Sequence, residues 1–380
     1  MNTNGVRQAV SSPRPEAPDL VGQPKAAIDT PALLVDLDVL EENIKRIADV
    51  CRNNKVHWRP HIKGQKVVEI AKMQIAAGAI GVTCAKLGEA EVMAAAGIGD
   101  ILIANQIAGP RKIARLMALL ASVPVMIAVD NLDNIAELGA AASARGFTLG
   151  VVIEIDTGMR RAGLLPGEAA VVMARRIAQT QGLRFKGLMG WEGHTVRIAD
   201  PAEKERHVRA AVESIVTTAD MIRAAGIPVD IVSCGGTGTY ALTAPIAGVT
   251  EIQAGGGIFS DVCYRQQYHI DHPYALTILA TVTSRPTPQR IVCDSGKKSM
   301  SSDTAMPEPI GLSNVASVRL SAEHAIIELG AVDHRLKVGD TVEFIVGYSD
   351  TTVHLHEDMY AIRDGYVEAV WPVSARGKSR

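Results

Sequence analysis

From residue 56 the chain alternates short runs of β-branched residues with Ala-rich amphipathic stretches, the texture of repeated βα units. Strands are predicted at 56–60, 81–85, 100–104, 125–130, 149–155, 185–189, 230–233 and 251–253. Helices are predicted between them at 65–78, 87–96, 110–121, 131–144, 167–180 and 201–225, several stopping near a glycine. Eight regular units favour a closed parallel (β/α)8 barrel of the TIM type over a doubly wound open sheet. After Gly257 the texture changes. Runs at 275–284, 290–294, 325–329, 341–346 and 360–362 read as strands separated by Pro, Gly and Asp turns. The α/β barrel is therefore expected over 40–268, with a second, β-rich domain formed by 1–39 and 269–380. The run 32–37 reads as a strand that precedes the barrel count and can join the β domain.

Length agrees: 380 residues suit a barrel of roughly 250 residues plus a second domain of about 100. With 47% apolar residues and a net charge of −2, no basic face points to nucleic acid. Residues 1–27 are polar and Pro-rich without a signal-like apolar run, and no stretch reaches the length of a membrane span, so a cytoplasmic protein is expected, away from membranes. The five cysteines are odd in number and widely spaced, which suits reduced buried thiols.

Barrel enzymes place their chemistry at the C-terminal ends of the strands, with phosphate often on the loops after strands seven and eight. The seventh loop here is Ser233-Cys234-Gly235-Gly236-Thr237-Gly238-Thr239-Tyr240, and the eighth opens Ala254-Gly255-Gly256-Gly257. Glycines let backbone N–H groups close on phosphate oxygens, and threonine hydroxyls add donors. The first strand ends in Arg59-Pro60-His61-Ile62-Lys63, where partial desolvation would free the Lys63 amine as a nucleophile. The fifth ends in Asp156-Thr157-Gly158-Met159-Arg160-Arg161, offering an arginine to a cofactor oxygen. The sixth leads into Gly190-Trp191-Glu192-Gly193-His194, which can stack, orient and exchange protons. His354 and His356, two apart, would share one face of a strand and could hold a divalent cation with Asp350.

From Thr30 onward these residues resemble the D-threonine aldolase and D-serine dehydratase group of alanine-racemase-like, fold-type III enzymes. Arg59-Pro60-His61-x-Lys63 is similar to that family's cofactor motif, which implies Lys63 as the Schiff-base lysine of pyridoxal 5′-phosphate. Asp156-Thr157-Gly158-Met159-x-Arg161-x-Gly163 resembles the segment whose Arg161 reaches the pyridoxal ring hydroxyl. Gly235-Gly236-Thr237-Gly238-Thr239 and Gln253-x-Gly255 resemble the phosphate clamp. On this footing the cofactor-binding set is Lys63, Arg161, Trp191, Ser233, Gly236, Thr237, Gly238, Thr239, Gln253, Gly255 and Gly256, with Lys63, His61 and His194 as catalytic candidates. The closing Val370-Trp371-Pro372-Val373-Ser374-Ala375-Arg376-Gly377 is similar to bacterial hydroxyaspartate aldolases of the group.

The chain departs from the pattern twice. Gln65 stands where the family has His, and Tyr348-Ser349-Asp350 keeps the Asp of a His-Cys-Asp or His-Val-Asp metal motif while losing the imidazole. A lost nitrogen ligand weakens binding of Mn, Mg or Zn at Asp350 unless His354, His356 or water compensates. The resemblance implies a lyase acting on a small β-hydroxy D-amino acid, with retro-aldol cleavage to glycine and an aldehyde as the leading reaction. Dehydration to a keto acid, racemisation without a metal, and a non-catalytic cofactor carrier are the alternatives. It also implies a homodimer.

Overall fold

Asp36 marks the passage from one architecture to another. Strand β1 (Ala32–Asp36) ends there, and the Asp36 carboxylate accepts the Val39 N–H at 3.1 Å, capping helix α1 (Leu37–Asn53). In this computed structural model, which describes residues 19–380, the βα alternation then runs through β2 (His57–Trp58), α2 (Val68–Ala76), β3 (Val82–Cys84), α3 (Leu87–Ala95), β4 (Ile101–Ile103), α4 (Pro110–Leu120), β5 (Val125–Val129) and α5 (Leu132–Ser143). It continues through β6 (Leu149–Ile155), α6 (Glu168–Gln179), β7 (Leu183–Gly190), α7 (Pro201–Ala224), β8 (Ile231–Cys234), a single turn α8 (Tyr240–Thr243) and β9 (Glu251–Ile252).

Strands β2 to β9 form one parallel sheet in the order β2-β9-β8-β7-β6-β5-β4-β3. The sheet curls until its ends meet: His61 bridges Thr83, Ile62 N–H donates to Thr83 O at 2.8 Å, and Thr83 N–H donates to Pro60 O at 2.9 Å. Alternation along the strands sorts the core. Ile101 and Ile103 face the helices in the main cluster, whereas Leu102, Met126, Ala128, Val152 and Met189 form a separate cluster filling the inside.

The chain then builds β10 (Leu276–Thr287), β11 (Arg290–Cys293), β12 (Glu308–Pro309), β13 (Val315–Leu320), β14 (Ala325–Leu329), β15 (Thr341–Ile345), the turn α9 (Ser349–Thr352), β16 (Asp358–Arg363) and β17 (Tyr366–Pro372). Their mixed sheet runs β13-β14-β11-β10-β1-β16-β17, with β15 pairing both β10 and β12. β1 inserts between β10, antiparallel, and β16, parallel, so the N-terminal strand joins the β-rich sheet.

Four details differ from the sequence reading. The strand expected over 32–37 stops at Asp36, and α1, absent from that reading, follows at once; its buried Leu40, Ile44, Ile47 and Cys51 have helical spacing. The helix expected from residue 65 starts only at Val68, because Lys66 adopts φ +56° and keeps the segment after Lys63 as an irregular turn. β13 and β17 were unread: β13 buries no residue fully and β17 is an edge strand, so neither carries a clean alternation. His354 lies in a single 3-10 turn (Val353–Leu355) and His356 just beyond it, so the shared strand face does not form. Residues 1–18 of the expected β-rich unit lie outside the described residues. Among the described residues no helix is long and apolar enough to cross a membrane.

Candidate active site

The C-terminal ends of the barrel strands open into a cavity of about 450 Å³. Lys63 stands on its wall, on the turn that closes the barrel. That turn is fixed from both sides. His61 N–H donates to Gln253 O at 3.0 Å, and Trp58 Nε1 donates to Ala254 O at 2.8 Å. Next to it, Lys66 pairs with the buried Glu89, whose other oxygen accepts the Ala85 and Lys86 N–H groups at 2.7 and 3.0 Å. A Cβ on Gly255 would collide with the His61 carbonyl, so only glycine lets the eighth-strand loop reach the lysine turn.

Burial pulls the Lys63 ammonium down to about 8, with Glu89 opposing and Lys66 and Arg161 adding repulsion. The His61 imidazole is driven well below its usual range by burial and by the positive charges of Lys63, Lys66 and Arg161, so it is neutral at pH 7. Its Nδ1 accepts the Lys63 N–H at 3.4 Å. A free amine is the nucleophile toward an aldehyde, so apo-protein should take up pyridoxal phosphate faster as pH rises, levelling off above about 8. Growth of the absorption band against pH measures this. A midpoint near the ordinary lysine value of 10.5 would contradict the desolvated setting.

On the same cavity wall, the loops after β8 and β9 make a cradle. Gly236, Thr237, Gly238, Gly255 and Gly256 line the cavity. Gly257 N–H donates to Thr237 Oγ1 at 2.9 Å, tying one loop to the other. Side chains could not replace these glycines: a Cβ on Gly236 would sit 2.5 Å from Trp191 Nε1, and one on Gly256 would strike the Tyr264 hydroxyl. A phosphate fits this concave set of backbone amides and a threonine hydroxyl.

Two expected cofactor ligands, Ser233 and Thr239, and one expected catalytic residue, His194, sit behind the wall or away from it. Ser233 is buried in a chain in which Arg59 Nε donates to Glu251 at 2.9 Å, Ser233 Oγ donates to Glu251 at 2.7 Å, and Gln253 Nε2 donates to Ser233 at 2.9 Å. Ser233 thus orients Gln253, which lines the cavity. The Thr239 hydroxyl is committed to the fully buried Glu192 at 2.6 Å. His194 is exposed on a 3-10 turn with its ring against Gly158, and does not line the cavity. Arg161 does line it: the guanidinium lies 5.4 Å from the Trp191 ring centre and 3.5 Å from Glu154, which Gln106 also grips at 2.6 Å.

Sequence reasoning passed over Tyr264, Tyr268, Asn105 and Gln106 on the cavity wall. Tyr264 sits on a π-helical turn (Cys263–Gln267), edge-on to Tyr268 and Tyr348 at 5.4 and 5.8 Å. The spacing Tyr264-x-x-x-Tyr268 at the barrel's exit was the available signal. Asp261 organises the region, accepting Tyr264 N–H at 2.7 Å and Ser349 N–H at 2.8 Å; burial raises its carboxyl to about 6.

From the β-rich part, α9 delivers Asp350 to Lys63 Nζ as an ion pair, and the Tyr348 hydroxyl donates to Asp350 Oδ2 at 3.1 Å. A divalent cation does not fit this donor set. Tyr348 is a neutral phenol, its pKa raised by burial, and its proton is already spent on Asp350. His356 Nε2 is bonded to Ser299 O at 2.6 Å, and His354 is exposed. Among the described residues no group of three or more His, Cys, Asp or Glu is placed to hold a metal.

A lysine at a barrel mouth, beside two glycine-rich loops that suit a phosphate and paired with an acid from the β-rich part, is the arrangement expected of a barrel enzyme with an amine-bound, phosphorylated cofactor. Residues 35–262 match the alanine racemase N-terminal domain model and residues 275–362 the putative serine dehydratase domain model. The chain belongs to the alanine racemase-like family. It is 36% identical to a 3-hydroxy-D-aspartate aldolase of Paracoccus denitrificans (strain Pd 1222), over 96% of both chains. To a D-threonine aldolase of an Arthrobacter species it is 32% identical over 99% of both. The crystal structure of D-threonine aldolase from Filomicrobium marinum superposes with a TM-score of 0.92 at 34% identity, covering 95% of this chain and 99% of that one.

Proposed function

We propose that the protein is a pyridoxal-phosphate-dependent lyase that cleaves β-hydroxy D-amino acids into glycine and an aldehyde. The observation that carries this reading is the pairing of Lys63 with Asp350 on the wall of one cavity, an amine for the cofactor and an acid–base group within a hydrogen bond of it. Similarity to two kinds of aldolase over nearly the whole chain supports the reaction class.

When bound, pyridoxal phosphate would supply a sink for the electron pair left on Cα. The chain's own groups do the rest. Lys63 would carry the cofactor and yield it to the substrate amine. The amides of the Gly236–Gly238 and Gly255–Gly256 stretches and the Thr237 hydroxyl would hold its phosphate, and Arg161, steadied over Trp191, would face a ring oxygen. Neutral His61 would accept or relay a proton beside Lys63. Residues 40–268 are assigned to cofactor binding and 269–380 with the N-terminal strand to closing the mouth. A cytoplasmic homodimer is the setting proposed for it.

The cavity wall carries two cationic side chains, Lys63 and Arg161, both engaged by this scheme. An uncharged β-substituent therefore suits it better than a second carboxylate. Incubation with D-threonine, D-phenylserine and D-3-hydroxyaspartate, scoring glycine plus aldehyde against keto acid plus ammonia, tests the assignment. Glycine and aldehyde, with kcat/KM highest for the uncharged substrates, are expected. Keto acid and ammonia would make the protein a dehydratase instead.

A further inference from the structure

Asp350 is held on the lysine by several independent devices. Gly64 makes the room: a Cβ there would overlap Asp350 Oδ1. The turn that bears the acid is anchored by the Ser349 N–H on Asp261 at 2.8 Å and by the Thr352 hydroxyl on Tyr348 O at 2.9 Å. The carboxylate is 10% exposed, touched by the Tyr348 hydroxyl at 3.1 Å and by Lys63 Nζ, while the His356 imidazole is bonded to Ser299 O and His354 is exposed. One carboxylate already engaged by Tyr348 and Lys63, with the nearby Asp261 carboxyl turned to the Tyr264 and Ser349 N–H groups, makes a poor metal site, since Zn²⁺ takes about four N, O or S ligands and Mg²⁺ or Mn²⁺ about six oxygens. The same arrangement makes a well-placed proton acceptor. Once the substrate amine stands where Lys63 Nζ does, its β-hydroxyl lies within a few bonds of that point, inside the reach of Asp350.

Resting on the aldolase reading above, we propose that this chain cleaves its substrate without a metal, the Asp350 carboxylate, oriented by the Tyr348 hydroxyl, taking the β-hydroxyl proton directly. The proton passes from the β-oxygen to Asp350, the C–O bond becomes the aldehyde carbonyl, and the Cα–Cβ bond breaks with its electron pair left on Cα. Cα then takes a proton to become glycine, and Asp350 returns its own to solvent. The Tyr348 hydroxyl steers the carboxylate, which leaves Lys63 free to carry the cofactor.

Two measurements on the cofactor-loaded protein test this. In a Mn²⁺ titration followed by electron paramagnetic resonance, the wild-type protein should bind no stoichiometric Mn²⁺ at micromolar concentration and lose no cleavage activity in EDTA. Tyr348→His, which sets an imidazole beside the carboxylate, should gain a Mn²⁺ site. Asp350→Asn should keep the cofactor absorption and a near-normal KM while kcat falls roughly 100- to 1,000-fold, the scale of a general base. Tight Mn²⁺ on the wild-type protein, EDTA-sensitive cleavage, a Tyr348→His protein that stays metal-blind, or unchanged kcat in Asp350→Asn would each overturn the proposal. Absence of cleavage of any β-hydroxy amino acid overturns the aldolase reading and the role of Asp350 with it, while the Mn²⁺ titration still decides the metal.

Discussion

Lys63→Ala should purify colourless and fall roughly a thousandfold or more in cleavage rate, the scale on which loss of a covalent catalytic group registers. The glycine loops proposed to hold the phosphate lie elsewhere in the chain and stay intact, so the variant should still bind pyridoxal phosphate reversibly, without the long-wavelength band of the lysine adduct. Lys66→Ala is the control. Its ammonium pairs with Glu89 rather than facing the cavity, so it should keep the band and lose mainly the rigidity of the turn. Absorption spectra of the two proteins beside wild type decide the matter, and a Lys63→Ala protein with the full band would remove Lys63 from the mechanism.

Glu192→Ala should lower stability by about 3 kcal/mol and weaken cofactor binding at the same time. Glu192 is fully buried and accepts from the Thr239 hydroxyl at 2.6 Å, the Thr243 hydroxyl at 2.7 Å and the Gly235 N–H at 3.4 Å. Alanine strands these donors away from water, at about 1–3 kcal/mol for each one that finds no other partner. It also unpins the loop whose glycines would hold the phosphate. Glu192→Gln keeps one carbonyl acceptor and should cost about a third as much. Chemical denaturation of the apo-protein, paired with cofactor dissociation, separates the two effects. A wild-type denaturation midpoint in Glu192→Ala would show the carboxylate to be dispensable.

The barrel was legible because its strands are buried on both faces and read as unbroken apolar runs, as in Val125–Val129, while its helices carry regular amphipathic spacing. The two glycine loops were legible because a backbone that must approach a neighbouring segment closely leaves glycines in the sequence, and the Lys63 turn because a lysine at the end of the first strand stands where barrel enzymes keep their chemistry. Charge partners across the fold left no such mark. Nothing local distinguishes Thr237, whose hydroxyl reaches the cavity wall, from Thr239, whose hydroxyl turns to Glu192. That choice is made by the packing of α8 against the loop after β7. His194 beside Trp191 read as a proton carrier, yet the turn at Gly193 swings its ring out toward Gly158. The site's acid arrives on α9 of the β-rich part, 287 residues from its lysine, and only the fold brings them together.

The most direct measurement is borohydride reduction of the cofactor-loaded protein followed by peptide mass mapping. The account predicts one pyridoxyl-modified peptide, carrying the label on Lys63, and protection of that lysine when D-phenylserine is added before the reductant. Label on any other lysine, or none above background, would contradict it.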